Sequence, residues 1–234
     1  MIDLHIHSTA SDGSLSPGEI FAQAEKAGLK AISITDHDTI DGSLELLQNY
    51  SCGCIKVLSG IEISCAPPSE FKSLGGIHLL GYGFSVYDPK LNKLVDTAKA
   101  SRSKRNPKII EKLNDLGLSV SMDQLNERYD TGRIGRPHIA QLLKDLAYVK
   151  SLSEAFDLYL AQGKPAYIDK YKIPIQEAIQ VILNAGGIPV LAHPGLIPFP
   201  DPVFENAQLE SFIDTLISYG LLGIEVYYTD HDET

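Results

Sequence analysis

Two histidines near the start of the chain have the spacing that places both imidazoles on one face of a β-strand. His5 and His7 alternate with apolar side chains from Ile2 to Ile6, and this period of two residues predicts a strand. Asp12 follows across a short Ser/Gly turn, from which its carboxylate could fold back over the strand end. Imidazoles and carboxylates together are common ligands of divalent transition metals. A buried strand with two hydrogen-bonded histidines would explain this segment equally well, so a metal site needs support from elsewhere in the chain.

Further histidines and acidic residues occur mostly where other predicted strands stop. They are Asp36 and His37 after the apolar run 31–34, Glu62 after the run 55–58, His78 within the run 76–84, and His193 after the run 188–192. The strands of an α/β barrel have their carboxyl ends at one face, where active sites are built. Seven histidines with only structural roles would not be expected to fall at strand ends so regularly. We therefore expect these side chains to converge on one site.

The order of local patterns predicts an α/β fold. Ser16-Pro17-Gly18-Glu19 has the form of a capping box with proline at the first helical position, which predicts the start of a helix. A second helix pattern contains Ile40, Leu44 and Leu47. Strand, helix, strand, helix, strand is the order typical of parallel βα units.

Strand patterns almost disappear between residues 89 and 172, and helix patterns replace them. The helix signals are the segment 91–116, a capping box at 121–124, the segment 137–146 and a second capping box at 151–154. Strand and helix patterns then resume, with a helix from Pro174, the strand before His193, a helix over 209–219 and a strand over 223–228. We interpret residues 89–172 as a helical insertion between two parts of one α/β domain, residues 1–88 and 173–234.

The predicted insertion has the most concentrated positive charge in a chain whose formal net charge is −10. Arg102 and Arg105 share a helix face, as two side chains that bind one phosphate would. Arg136 and His138 lie at the start of another predicted helix, where backbone N–H groups favour anions. Together the four residues could hold a phosphate over bound metals. A solvated helix face is the plainer explanation of such a charge run.

Composition and charge exclude some classes of function. The net charge of −10 argues against a general nucleic-acid coat or a protein that binds anionic membranes. It does not exclude a nucleotide substrate, because bound metal ions can reverse the local electrostatic potential. No apolar run is long enough to span a bilayer and no signal segment is evident, so we expect a cytoplasmic protein without membrane contact. The three cysteines fit neither a disulfide framework nor a structural zinc site, and reduced thiols are expected.

Taken jointly, the motifs resemble the PHP (polymerase and histidinol phosphatase) superfamily. The resemblance is to its stand-alone metal-dependent phosphoesterases, the group of nucleoside 3′,5′-bisphosphate phosphatases and the related 5′-to-3′ exoribonuclease. The matching motifs are Asp-Leu-His-Ile-His-Ser with Ser-Asp-Gly, Thr-Asp-His-Asp, Gly-Ile-Glu, Gly-Arg-Pro-His-Ile-Ala, Gly-Lys-Pro-Ala-Tyr and Leu-Ala-His-Pro-Gly. They cover essentially the whole chain.

The resemblance implies a distorted (β/α)7 barrel that holds up to three divalent metal ions, usually manganese, with iron or zinc as alternatives, and a helical insertion over the site. By motif position, His5, His7 and Glu62 would bind one ion, Glu62, His78 and His193 a second, and Asp12 and His37 a third. Glu62 would bridge two ions. Glu62 and His193 would act in catalysis through metal-activated water that becomes the attacking hydroxide, so no protein nucleophile is needed.

The sequence departs from the family pattern after residue 228. The family's barrel normally continues and supplies an Asp-x-His motif, and this chain ends at Thr234 without it. Asp230 and His231, in a second Thr-Asp-His-Asp, are possible substitutes, and Asp36 is a further possible site residue. A barrel without its last unit would have an unpaired strand edge, so self-association through that edge is expected unless another segment covers it.

These expectations favour one function over two alternatives. The favoured function is hydrolysis of a phosphate ester on a nucleotide or a short RNA end, with Arg102, Arg105, Arg136 and His138 as substrate-binding residues. One alternative is a weakly active or inactive fragment that binds nucleotide or metal, because the Asp-x-His ligands are missing. The other is a histidinol-phosphate phosphatase, against which the insertion with its Gly-Arg-Pro-His motif argues.

Overall fold

The protein divides into two compact units. The structure, a computed structural model, describes residues 1–50, 55–129, 134–169, 171–198 and 205–228. One unit, which we call the sheet unit, comprises Met1–Val95 and Lys172–Thr234, and the other, the helical unit, comprises Asp96–Tyr171. The chain enters the helical unit partway along a helix. The domain boundaries drawn from the sequence, 89 and 172, stay predictions.

The sheet unit contains two sheets. The strands are β1 (Ile2–Ile6), β2 (Ala31–Ile34), β3 (Lys56–Leu58), β4 (Gly60–Ala66), β5 (Ile77–Tyr82), β6 (Ile173–Pro174), β7 (Ile188–Leu191) and β8 (Gly223–Ile224). The first three form a parallel three-stranded sheet in the order β1-β2-β3. The others form a five-stranded sheet in the order β6-β4-β5-β7-β8.

The helices follow the positions predicted from the sequence to within a few residues. They are α1 (Pro17–Lys26), α2 (Asp41–Tyr50), α3 (Pro89–Asp115), α4 (Met122–Asn126), α5 (Arg136–Asp145), α6 (Leu152–Ala155), α7 (Ile175–Asn184) and α8 (Glu205–Ser218). A π-helical turn, Phe156–Leu160, continues α6. Among the described residues, no helix combines the length and the apolar character that crossing a membrane requires.

The five-stranded sheet is mixed, which corrects the expectation of uninterrupted parallel βα units. Strand β5 pairs antiparallel with both β4 and β7, whereas β6 and β8 pair parallel with their neighbours. A short 3₁₀ segment, Ser69–Leu74, connects β4 to β5, and such a connection permits antiparallel pairing. The protein is therefore an α/β protein with mixed sheets. A closed (β/α)7 barrel that lacks its last unit stays a prediction, as does self-association.

Backbone contacts at Glu62 join the two sheets. His37, just beyond the end of β2, forms an isolated parallel bridge with Glu62 of β4. The Glu62 N–H donates to the carbonyl of Asp36 at 3.2 Å, and the Asp38 N–H donates to the carbonyl of Glu62 at 2.9 Å. Because both strands use backbone groups here, the position of Glu62 relative to the β2 end is set by the main chain and does not depend on a side-chain rotamer.

Three strand assignments differ from the sequence-based ones. Glu62 lies inside β4 and not at the end of β3, because Ser59 separates two strands that belong to different sheets. The strand expected over 223–228 is limited to Gly223–Ile224. Strand β6, which pairs with β4 through Cys65 and Ile173, has too few residues to show a periodic pattern in the sequence.

Apolar packing and capping explain the helices of the sheet unit. Helices α1 and α2 cover the three-stranded sheet, and the buried side chains there are Ile20, Phe21, Ala24, Ile32, Ile34, Leu46 and Ile55. Burial of each large side chain contributes roughly 1.5–3 kcal/mol. The predicted capping box of α1 is confirmed, since the Glu19 N–H donates to Ser16 Oγ and the Ser16 N–H donates to the Glu19 carboxylate.

The helical unit has its own hydrophobic core. Residues of α3, α4 and α5 form it with neighbouring segments, including Ile109, Leu113, Leu125, Ile139, Leu143 and Leu160. The capping box predicted at Ser121 and Gln124 is confirmed in both of its hydrogen bonds. The box predicted at 151–154 is half correct: Ser151 accepts from the Glu154 N–H, but the Glu154 carboxylate accepts from the Lys150 N–H.

Some sequence-based assignments lie outside the described residues. Cys52 and Cys54 are in that category, and so are the possible site residues Asp230 and His231. The remaining cysteine, Cys65, is buried in β4, where its Sγ lies 3.5 Å from the Ile63 carbonyl oxygen.

Replacement of Gly60 by alanine tests the join between the sheets. A Cβ at Gly60 would lie 2.6 Å from the Ile34 carbonyl oxygen and 2.1 Å from Ser33 Oγ. Because one of these atoms is backbone of β2, we expect Gly60→Ala to destabilise the metal-free protein by about 1–3 kcal/mol. Each kcal/mol lost should lower the thermal midpoint by roughly 2–4 °C. In the control Gly76→Ala, the nearest atom is Lys172 Cε at 3.1 Å, in a flexible side chain. Equal midpoints for both variants would contradict the prediction.

Candidate metal centre

The carboxylate of Glu62 lies at the centre of a cluster of imidazoles. Its side chain is only 1% exposed. The contacts are His5 Nε2 at 3.5 Å, His7 Nε2 at 3.2 Å and His37 Nδ1 at 3.0 Å from Oε2, and His78 Nδ1 and His193 Nε2 each at 3.0 Å from Oε1. His78 Nδ1 and His193 Nε2 also lie 3.2 Å apart. The structure thus brings together residues that are distributed over most of the chain.

The strands place these histidines at one end of the sheet unit. Strand β1 supplies His5 and, just past its end, His7, while His37 and His193 follow β2 and β7. His78 is the second residue of β5, yet it reaches the same end, because in an antiparallel pair the start of one strand lies beside the end of the other. His78 is accordingly opposite Ser64, two residues after Glu62 in β4.

Asp12 completes the cluster from the loop that follows β1. Its Oδ1 lies 3.2 Å from His7 Nδ1 and its Oδ2 lies 3.8 Å from His37 Nε2. The turn depends on Gly13, where a Cβ would lie 2.1 Å from the carbonyl oxygen of His7. The carboxylate therefore folds back over the end of β1, as its spacing from the histidines predicted.

Asp36 holds that loop in place from the end of β2. Its Oδ1 accepts from the Ser8 N–H at 2.7 Å and from the Ser11 hydroxyl at 2.6 Å, and its Oδ2 accepts from the Ser8 hydroxyl at 2.6 Å. Gly42 packs closely on this arrangement, since a Cβ there would lie 2.2 Å from Asp36 Oδ2. Burial raises the pKa of Asp36, and the hydrogen bonds oppose that shift. Asp36 therefore supports the site twice, through its carboxylate at the Asp12 loop and through its backbone carbonyl, which accepts from the Glu62 N–H.

Two residues of the site have backbone conformations that side chains disfavour. His193 has φ 30° and ψ 60°, and Asp38 has φ 54°. Asp38 is stabilised there because its carboxylate accepts from the Ser64 N–H at 2.8 Å and from the Ser64 hydroxyl at 3.2 Å. Such conformations cost about 1–3 kcal/mol each and concentrate at functional sites.

Glu225 is a site residue that the sequence analysis did not identify. It follows β8, and its Oε1 lies 2.7 Å from His5 Nδ1 while its Oε2 accepts from the His193 backbone N–H at 2.7 Å. The Glu225 N–H donates to the Leu191 carbonyl at 2.9 Å, which extends the pairing with β7. The sequence signal was weak, because Glu225 lies inside the run 223–228 that was predicted to be a strand, and only the shorter β8 of the structure places it after a strand end.

The carboxylates of the site are held in their ionised form. Burial alone would raise the pKa of Glu62, but the surrounding imidazoles, His37 foremost, lower that pKa well below its usual range. Burial likewise opposes ionisation of Asp12, and its contacts with His7 and His37 lower its pKa. Both groups therefore carry negative charge at neutral pH.

The same contacts hold protons on two imidazoles in the metal-free protein. Burial by itself would lower the pKa of His5, but its hydrogen bonds with Glu225 and Glu62 raise it to about 9. Burial is likewise outweighed at His7, whose pKa rises to about 10. Burial lowers the pKa of His78. A divalent cation at this site would take the place of protons on His5 and His7.

The donor set fits a divalent transition metal. Within the described residues, three groups have one ligand atom per residue within 4.8 Å of one another: His5, His7 and Glu62; His7, Asp12 and His37; and His37, Glu62 and His78. Mixed imidazole and carboxylate donors suit Mn, Fe or Zn better than Ca or Mg. The groups share members, so more than one ion could be bound by neighbouring sets of ligands.

Two predicted phosphate-binding residues lie on α3 in the helical unit. Arg102 and Arg105 are only 7% and 6% exposed, which argues against a solvated helix face. Arg105 Nη2 donates to Asn106 Oδ1 at 3.1 Å, and Asn106 Nδ2 donates to the Ile134 carbonyl at 2.7 Å. Guanidinium groups that are this buried need polar partners.

The other two predicted phosphate-binding residues lie at the start of α5. Arg136 Nη1 donates to the Leu160 carbonyl at 3.0 Å, and its guanidinium carbon lies 5.2 Å from the centre of the Tyr167 ring. His138 Nδ1 accepts from the Gly135 N–H at 2.9 Å. His138 therefore caps its own helix, a structural role that the sequence analysis did not assign to it.

Removal of the Asp36 carboxylate should loosen the loop that carries Asp12. Asp36→Ala leaves the Ser8 N–H and two hydroxyl groups without their acceptor in a buried position, so we expect a loss of about 2–4 kcal/mol in unfolding free energy. Divalent-metal affinity should also fall. Thermal unfolding and metal titration measure the two effects. Asp214→Ala, at an exposed position of α8, is the matched control. A stable Asp36→Ala protein with unchanged metal affinity would contradict the prediction.

This chain is similar to several curated proteins and solved structures, among them the two relatives and the one structure that follow. A 5′-3′ exoribonuclease of Haemophilus influenzae is 38% identical over 192 residues, which are 82% of this chain and 68% of the relative. A 3′,5′-nucleoside bisphosphate phosphatase of Chromobacterium violaceum is 31% identical over 231 residues, 98% of this chain and 78% of the relative. A Bifidobacterium adolescentis protein proposed to be a metal-dependent phosphoesterase superposes with a TM-score of 0.85 at 25% identity, covering 99% of this chain and 79% of its own.

A family model gives the assignment that these relatives support. The model described as PHP domain matches residues 3–188, a range that runs from the second residue of β1 through β6 and includes most of the candidate ligands. The resemblance inferred from the motifs is thereby confirmed. The buried glutamate, the ring of imidazoles and the matched range lead to one conclusion: this chain belongs to the PHP domain family.

Proposed function

We propose that this protein is a metal-dependent phosphoesterase that hydrolyses a phosphate ester of a nucleotide or of a short nucleic-acid end. The observation that carries the proposal is the buried Glu62 carboxylate with five imidazoles within 3.5 Å of it. Such a buried arrangement of ligands has no purpose in a plain hydrophobic core, where isolated charges are destabilising. It suits cations that act on phosphate oxygens.

Up to three divalent ions are proposed, with Mn²⁺ first and Fe²⁺ or Zn²⁺ as alternatives. The proposed ligand sets are His5, His7 and Glu62 for the first ion, Glu62, His78 and His193 for the second, and Asp12 and His37 for the third. The first set corresponds to one of the observed ligand groups, and the Asp12 and His37 pair to another that also includes His7. His193 is supported by its 3.0 Å contact with Glu62.

The chain's own residues would prepare the site for hydrolysis. When bound, divalent ions of this kind lower the pKa of water and stabilise negative charge on phosphoryl oxygens. Glu62 stays ionised because the imidazoles lower its pKa, and its two oxygens contact different histidines, as a bridging carboxylate must. His193 lies beside the same carboxylate. We propose that Glu62 and His193 hold the catalytic geometry and that no protein nucleophile takes part.

Four basic residues of the helical unit are proposed to bind the substrate phosphate. They are Arg102, Arg105, Arg136 and His138. Arg136 is supported by its position at a helix start and by the Tyr167 ring, whose centre lies 5.2 Å from its guanidinium carbon, because a guanidinium held beside an aromatic ring keeps its remaining N–H groups oriented. Since His138 Nδ1 accepts from Gly135, Nε2 is the nitrogen we propose for phosphate.

The named activities of the relatives support the choice of substrate class. One relative is an exoribonuclease and the other a nucleoside bisphosphate phosphatase. Both substrates carry phosphate esters on ribose, which is the shared chemistry that we propose for this chain.

A substrate panel tests the proposed function. Protein loaded with Mn²⁺ is incubated with adenosine 3′,5′-bisphosphate, short oligoribonucleotides or histidinol phosphate, and released phosphate or nucleotide is measured. We expect turnover of one of the first two. Turnover of histidinol phosphate alone would contradict the substrate class. No turnover with Mn²⁺, Fe²⁺ or Zn²⁺ would contradict the phosphoesterase proposal and favour a nucleotide- or metal-binding protein of little activity.

Glu62→Gln should be the most damaging conservative change in the site. An amide offers one acceptor where a bridging carboxylate offers two, so we expect fewer metal ions per chain and a decrease of kcat/KM on the order of 100-fold. Elemental analysis and steady-state kinetics measure these effects. Glu210→Gln, at an exposed position of α8, is the control. Full metal content in Glu62→Gln would show that Glu62 is not a bridge.

Arg136→Ala should impair catalysis without removing metal. We expect kcat/KM to fall about 10- to 1000-fold, equivalent to roughly 1.4–4 kcal/mol, because a guanidinium interacts with phosphate and not with cations. Arg136→Lys should recover part of the activity, since it keeps the charge. The control is Arg128→Ala, which removes a partly exposed ion pair with Asp145, an interaction worth little. Wild-type kinetics in Arg136→Ala would assign Arg136 a structural role only.

A further inference from the structure

Glu225 contacts two candidate ligands with one carboxylate. Its Oε1 lies 2.7 Å from His5 Nδ1, and its Oε2 accepts from the His193 N–H at 2.7 Å. The side chains of His5 and Glu225 are each only 10% exposed. Glu225 belongs to the five-stranded sheet and His5 to the three-stranded sheet, so this contact is a further connection between the sheets, formed by residues 220 positions apart in the chain.

The contact fixes which nitrogen of His5 is available to a metal. An ionised carboxylate can only accept hydrogen bonds, so the Glu225 oxygen requires a proton on His5 Nδ1. The other nitrogen, Nε2, faces Glu62 Oε2 at 3.5 Å. A histidine that gives Nδ1–H to a carboxylate has its Nε2 lone pair directed at the metal and made more basic.

The second oxygen of Glu225 acts on the backbone of His193. That residue has φ 30°, a conformation that a β-carbon disfavours, and its N–H is held by the charged acceptor. The Tyr228 ring lies 5.6 Å from the His5 ring and 5.1 Å from the His193 ring, measured between centres. The two carboxylate oxygens of Glu225 are thus used by His5 and by the His193 backbone, and both of these residues contact Glu62.

We propose that Glu225 is a positioning residue of the metal centre, which sets the tautomer of His5 and the backbone of His193 so that both side chains present Nε2 to the divalent ions beside Glu62. The inference rests on the proposed metal centre but assigns a role that the ligand sets do not include. Glu225 itself is not a ligand in this proposal.

Glu225→Gln separates this role from mere packing. Glutamine has the same size, but it offers one acceptor and one donor. If its oxygen accepts from His193, its NH₂ donates to His5 Nδ1 and moves the ring proton to Nε2, where it competes with the metal. If the amide is reversed, NH₂ opposes the His193 N–H. Neither orientation reproduces the contacts of the carboxylate.

The experiment titrates Co²⁺ into metal-free wild-type protein, Glu225→Gln and Glu225→Asp, and follows the visible absorption of the bound ion. We expect Glu225→Gln to weaken the tightest Co²⁺ site about 10- to 100-fold and to change the shape of its absorption bands. Glu225→Asp keeps the charge but reaches only one of the two donors, so an intermediate affinity is expected. Glu25→Gln, at an exposed position of α1, should match wild type. Thermal unfolding of the metal-free proteins shows whether the variants fold.

A second measurement uses only the wild-type protein. In the Zn²⁺-loaded protein, long-range ¹H–¹⁵N correlation spectra with selectively labelled histidine should place the His5 proton on Nδ1. A proton on His5 Nε2, or folded Glu225→Gln with wild-type Co²⁺ affinity and spectrum, would overturn the positioning role. If Glu225→Gln does not fold, wild-type affinity in Glu225→Asp would overturn it as well. Failure of the wild-type protein to bind Co²⁺ would overturn the metal centre itself, which distinguishes the two failures.

Discussion

The structure of the sheet unit depends on the burial of one carboxylate. A buried carboxylate without partners would cost several kcal/mol, roughly the whole stability of an ordinary domain. Glu62 is 1% exposed, and its partners come from four strands and from both sheets. The sheets cannot separate at this point without exposing or isolating that charge. Imidazoles supply the compensation in the metal-free protein, and divalent cations would supply it in the proposed active form.

A repeated device supports the ligands around this carboxylate. Asp36, Asp38 and Glu225 each accept a backbone N–H, from Ser8, Ser64 and His193 respectively. Each of these N–H groups belongs to a candidate ligand or to a residue within two positions of one. A charged acceptor makes a stronger hydrogen bond than a neutral one, so the backbone that carries the ligands is held before any ion binds. Such preorganisation is what a metal centre that acts on phosphate would need.

Rigid support also explains why strained backbone is tolerated here. His193 and Asp38 both have positive φ, and in each case a short charge-assisted hydrogen bond lies next to the strained residue. The cost of about 1–3 kcal/mol for each conformation is of the same order as the contribution of such a bond. The geometry of the site is therefore a property of the surrounding contacts and not of the local sequence.

The sequence by itself determined the side-chain direction of the first ligands, the helix starts and the family. Alternation in β1 placed His5 and His7 on one face, and capping residues marked α1, because both signals act over a few neighbouring residues. Tertiary structure alone decided that β5 runs antiparallel, that Glu62 lies inside a strand where two sheets meet, and that Glu225 joins His5. Strand pairing and a contact across 220 residues depend on which edges come together, and no local period encodes that choice.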